Sequence, residues 1–88
     1  MADAERPIGW TALAEGTRVL SLEGEEIGRV AEVIGDEETN IFSGLVIRMG
    51  LLESDRFLPA DQIAELTPEE VRLTISAAAA EKLRPYAE

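Results

Sequence analysis

The chain contains no cysteine and no histidine, and its 88 residues include only one tryptophan, one tyrosine and two phenylalanines. Without cysteine there is no disulfide framework, no thiolate nucleophile and no cysteine-based zinc or iron–sulfur site. Without histidine the other common transition-metal ligand and the usual general base are also missing. Basic residues are scarce as well: 18 Asp and Glu stand against 8 Lys and Arg, a formal charge of −10. Such a surface repels phosphate backbones and anionic lipid, and the bases occur singly along the sequence, so no basic stripe for nucleic acid is expected. Trp10, Phe42, Phe57 and Tyr86 are too few and too separated to form a stacking platform for bases. Long apolar runs are absent too. The first ten residues carry Asp3, Glu5 and Pro7 and lack the apolar stretch of a signal peptide. A cytoplasmic protein with no membrane insertion is the expectation.

What is present is 45% hydrophobic residues in a chain long enough for one compact domain. A domain of this size buries only roughly 60% of the surface its unfolded chain exposes, so an apolar face left over by the fold calls for a second copy or a partner. Residues 1–9 read as a loose polar leader and Trp10 as its docking anchor; residues 11–15 allow one helical turn that Gly16 stops. Thr17-Arg18-Val19-Leu20-Ser21-Leu22 is the first expected strand, and Gly24 within Glu23-Gly24-Glu25-Glu26 supplies the positive φ of a tight hairpin. A second strand follows over residues 27–34, antiparallel to the first. Gly28 sits inside it, which marks a bulge or the close approach of another segment. Gly35-Asp36-Glu37-Glu38-Thr39-Asn40 turns the chain again.

The third strand, residues 41–49, is apolar on both faces. Ile41, Leu45, Ile47 and Met49 fall on one side, Phe42 and Val46 on the other. One face fills a barrel interior; the other is covered either by the C-terminal helix of the same chain or by another protein molecule. Residues 50–55 turn the chain, Arg56-Phe57-Leu58-Pro59 makes a short edge strand, and residues 60–66 cross back. Thr67-Pro68-Glu69-Glu70 has the residues of a helix start, from which one helix would run over residues 68–84. Against this, Val71-Arg72-Leu73-Thr74-Ile75 alternates with period 2, and Ser76 is placed to cap a separate short helix through the alanine run. The second reading, strand then short helix, is preferred.

In order and spacing, Thr17-Arg18-Val19, Glu23-Gly24-Glu25-Glu26-Ile27-Gly28-Arg29-Val30, Asp36, Ser43-Gly44-Leu45-Val46-Ile47, Leu58-Pro59-Ala60 and Val71-Arg72-Leu73 resemble the PRC-barrel family. The resemblance spans roughly residues 11–75 and extends more weakly to residues 83–86. It implies a mainly β fold, a small and strongly bent antiparallel barrel of five to six strands with a short C-terminal α-helix. Relatives of that kind are the cytoplasmic domain of the photosynthetic reaction centre H subunit and the C-terminal domain of ribosome maturation factors, which bind proteins or RNA–protein assemblies and are not catalysts in themselves. The chain divides as leader and turn over 1–16, β domain over 17–75, and helix and tail over 76–88, all within one domain.

No enzyme is expected. A Ser–Lys pair would have to use Lys82, whose place near a helix C-terminus is already explained by the helix dipole. No catalytic, cofactor or metal residues are assigned, and no cofactor is expected. The function expected is protein–protein association, as a homodimer or with another protein of basic surface, with Trp10, Phe42, Val46, Phe57 and Tyr86 as interface candidates. The alternative is a small-ligand or divalent-cation-binding protein using the acidic turns at Glu23, Glu25, Glu26 and at Asp36, Glu37, Glu38. Brought to one end of the barrel, these two turns would form an acidic pole.

Overall fold

The computed structural model describes residues 8–50 and 54–86. Most of the leader, residues 51–53 of the expected turn and the last two residues of the tail lie outside the described residues. Six strands form one sheet: β1 (Arg18–Leu20), β2 (Glu26–Asp36), β3 (Ile41–Arg48), β4 (Arg56–Pro59), β5 (Ile63–Leu66) and β6 (Glu70–Leu73), followed by a one-turn helix α1 (Ala77–Ala80). Short 3-10 turns occur at Trp10–Ala12 and Ala60–Gln62. The mainly β class and the strand count agree with the sequence.

The order across the sheet is β4-β3-β2-β1-β6-β5. Every ladder is antiparallel except one: β1 runs parallel to β6, with Val19 opposite Val71. The ladder does not close between β4 and β5. The chain itself joins these two edges, because only the 3-10 turn Ala60–Gln62 separates β4 from β5.

Each edge is also occupied by main chain. Ile8 N–H donates to the Leu66 carbonyl at 2.9 Å beside β5. Beside β4, Phe57 N–H donates to Arg84 O and Tyr86 N–H to Asp55 O, at 2.9 and 2.8 Å. An edge strand with unpaired amides is a template for aggregation, and these contacts blunt both.

Strong bending comes from bulges. The register slips between Val19 and Leu20 against β2, twice along the β2–β3 ladder, and once between Ile63 and Ala64-Glu65 against β6. Each slip puts an extra residue on one strand and increases the local twist. Gly28 lies beside the first slip, and a Cβ there would sit 2.6 Å from the Arg48 carbonyl oxygen and 2.7 Å from Ile47 Cγ2. Both roles expected of this glycine, bulge and close approach, are therefore met.

Inside the bend, Leu13, Val19, Val30, Leu45, Ile47, Leu58, Val71 and Leu73 form the core. Fully burying a Val or Leu side chain contributes roughly 1.5–3 kcal/mol, so these eight are the main source of stability. Polar side chains shape the turns. Gly24 has φ of +89°, as the hairpin requires, and its N–H donates to the Ser21 carbonyl at 2.9 Å. The buried Ser21 hydroxyl accepts from the N–H groups of Glu23 and Glu25, each at 3.2 Å, and donates to Glu23 Oε1 at 3.0 Å.

Thr67 acts in the same way between β5 and β6. Its Oγ1 accepts from Glu69 and Glu70 N–H at 3.3 and 3.1 Å, so the apparent helix start is a tight turn leading into a strand. Ser76 does cap a helix, accepting from Ala79 N–H at 3.1 Å. That helix ends at Ala80 instead of continuing to Arg84: the chain leaves it in a tighter turn, where Lys82 and Leu83 N–H donate to the Ala79 and Ala80 carbonyls at 3.0 and 3.1 Å.

Candidate functional site

The sequence offered five interface candidates, and the fold distributes them. Val46, on β3, is only 2% exposed and so lies within its own chain's fold. Directly opposite it across the β3–β4 ladder is Phe57, half-buried, whose ring reaches over Gly44. Tyr86 is half-buried beside β4, where its N–H pairs with Asp55. Trp10 and Phe42 come together elsewhere, stacked with ring centroids 5.5 Å apart and planes at 6°.

The bulge explains why Phe42 and Val46 part company. Ile34 pairs with Gly44 but Gly35 pairs with Phe42, so Ser43 is the extra residue and the alternation changes phase. A one-residue slip sends side chains to the other face. Phe42 consequently packs against the core cluster, not on the Val46 side that strict alternation predicted.

Trp10 reaches this place because Gly35 leaves room for it: a Cβ on Gly35 would lie 2.6 Å from Trp10 Cζ3. Its indole Nε1–H also donates to Asn40 Oδ1 at 3.4 Å, and Asn40 turns the chain with φ of +58°. Ile41, next to the stack, is 58% exposed. The end of the β2–β3 hairpin thus carries the Trp10–Phe42 stack on one face and, one residue along β3, the exposed Ile41 on the other, beside the acidic turn Asp36, Glu37 and Glu38.

No acidic pole exists at this end. The two acidic turns lie at opposite ends of β2, Glu23 to Glu26 at its start and Asp36 to Glu38 at its finish, up to roughly 30 Å apart along the strand. Among the described residues no three Asp or Glu side chains are grouped so as to hold a metal ion.

A second feature escaped the sequence. Arg18, Arg29 and Arg48 are in direct register across β1, β2 and β3, each opposite the next. Bases that stand singly in the chain therefore form one row, a correction to the expectation of scattered charge. Arg18 Nη2 bonds Glu70 Oε1 at 3.1 Å, and Glu70 also receives Arg72 Nε at 2.8 Å. Arg29 lies 3.7 Å from Glu26, and Arg48 lies 3.6 Å from Asp55. The signal open to sequence reasoning was an arginine on each of three consecutive strands, but only the register reveals the row.

Residues 14–81 match the family model of the PRC-barrel domain. The chain belongs to the PRC-barrel domain family. The match covers all six strands and the helix, and agrees with the segments that carried the resemblance. No curated protein matches this PRC-barrel. PRC-barrel domains are generally small non-catalytic modules, and among the described residues of this one no helix is long and apolar enough to cross a membrane.

Proposed function

We propose that this PRC-barrel is a non-enzymatic assembly module that associates with a second copy of itself through the apolar end of the β2–β3 hairpin. The observation that carries the reading is Ile41, a branched apolar side chain 58% exposed at the start of β3, at the same hairpin end as the half-buried Trp10–Phe42 stack. An exposed apolar side chain that the fold leaves uncovered gains from burial against another molecule, and aromatic residues near it are of the kind enriched at protein interfaces. The middle of β3, where Leu45, Val46 and Ile47 are buried by the chain itself, contributes nothing to that surface.

Charge separates self-association from capture of a basic protein. Two copies that each carry −10 repel, so added salt strengthens a homodimer; a basic partner is held less tightly as salt rises. Light scattering across protein and salt concentration tests this directly. The expected particle has twice the 9.6 kDa chain mass, grows with salt, and returns to one chain mass in Ile41→Glu with circular dichroism unchanged. A monomer at all concentrations and salts would overturn self-association.

A further inference from the structure

We propose that the arginine row across β1, β2 and β3 binds a small ligand carrying two or more oxyanion groups, carboxylate or phosphate. The site is independent of self-association. Residues directly opposite in an antiparallel ladder project to the same face, so Arg18, Arg29 and Arg48 line one side of the sheet. Neighbouring strands are about 4.8 Å apart, which places the outer two about 10 Å from one another.

Like charges directly opposite one another are unfavourable, and here they occur twice in succession in a chain with eight bases in all. Arg18 is hydrogen-bonded to Glu70, but the counter-ions of Arg29 and Arg48 do not fully engage them. The Arg29–Glu26 and Arg48–Asp55 separations of 3.7 and 3.6 Å exceed hydrogen-bond length. The side chains are 57% and 65% exposed, so planar forks remain accessible for bidentate contact.

Arg29 is the pivot. Its Nη1 donates to the Gly16 carbonyl at 3.0 Å, holding it between two clefts. The larger, about 550 Å³, also contains Arg48 and Met49; the smaller, about 330 Å³, contains Arg18 and Pro68. The larger is within the range of small-molecule sites. Glu15 is on the wall of both clefts, Glu26 lines the larger and Glu69 the smaller. Charge alone is therefore balanced in each cleft, and the preference rests on geometry: a ligand bridging two arginines can make two bidentate fork contacts where a monoanion makes one.

Titration of the full chain, followed by amide chemical shifts, tests the assignment with succinate and with pyrophosphate at constant ionic strength. Expected are saturating shifts at residues 15–18, 28–30 and 48–50, weakened at least fivefold in Arg29→Gln and in Arg48→Gln but unchanged in Arg84→Gln. Tighter binding of one probe assigns the carboxylate or the phosphate class. Acetate should give no saturation. The proposal is overturned if neither probe saturates, if sodium chloride or acetate reproduces the shifts, or if both row variants bind as the parent does.

Discussion

Gly44 provides the most direct test of the packing at the centre of the sheet. Its φ is +153°, and a methyl there would overlap the Leu58 carbonyl oxygen of the paired strand and lie 2.9 Å from Phe57 Cζ. The obstacle on one side is main chain in a ladder with Leu45 opposite Leu58, so it cannot rotate away as a side-chain end would. Overpacking of this kind costs about 1–3 kcal/mol and a residue held in so sparsely populated a backbone region about as much again. The sum for Gly44→Ala is about 2–6 kcal/mol, against a total stability of roughly 4–13 kcal/mol for a domain of this length. At about 4–8 °C per kcal/mol, the midpoint should fall by at least about 8 °C. Thermal and urea unfolding by far-ultraviolet circular dichroism measure this, with Gly50→Ala as the control, since nothing lies within 4 Å of a Cβ at that position. A Gly44→Ala midpoint within about 3 °C of the parent would refute the close approach of β3 and β4.

Two further substitutions address the first hairpin. Ser21→Ala removes the shared acceptor of the Glu23 and Glu25 N–H groups in a turn whose other residues are exposed, and should cost about 1 kcal/mol in urea unfolding. Gly24→Ala meets no neighbour within 4 Å yet is forced to φ of +89°, so a loss of about 1 kcal/mol is expected, smaller in Gly24→Asn, which tolerates the left-handed region better. Equal stability of the Ala and Asn variants at position 24 would show that backbone conformation does not limit the turn.

What was legible in the sequence was local. Gly24 announced a hairpin because only a residue without a Cβ takes that φ cheaply, and Ser76 announced a cap because its hydroxyl reaches an amide three residues on. The alternation in Val71-Arg72-Leu73 also prevailed over the helix signature before it, because Thr67 satisfies the same amides in a turn as it would in a helix. The candidate site was legible only in part. Trp10 and Phe42 were identified, but not as a pair, and Val46 was placed beside Phe42 because strict alternation cannot foresee the extra residue at Ser43. The arginine row and the separation of the acidic turns depend on register and topology, which no short window of sequence encodes.

The parallel pairing of β1 with β6 governs the order in which this molecule can be built. The hairpins from β2 to β4 join neighbours in sequence, and each can form as soon as its own residues are available. β1 has a local partner on one side only; on the other, the contact from Arg18 to Glu70 spans 52 residues. Closing so long a loop delays folding, and during synthesis it must wait for the last strand to be made. Val19, fully buried between its two neighbours, is therefore exposed on the nascent chain until nearly all of it exists. In a growing polypeptide the first strand made is the last to be enclosed.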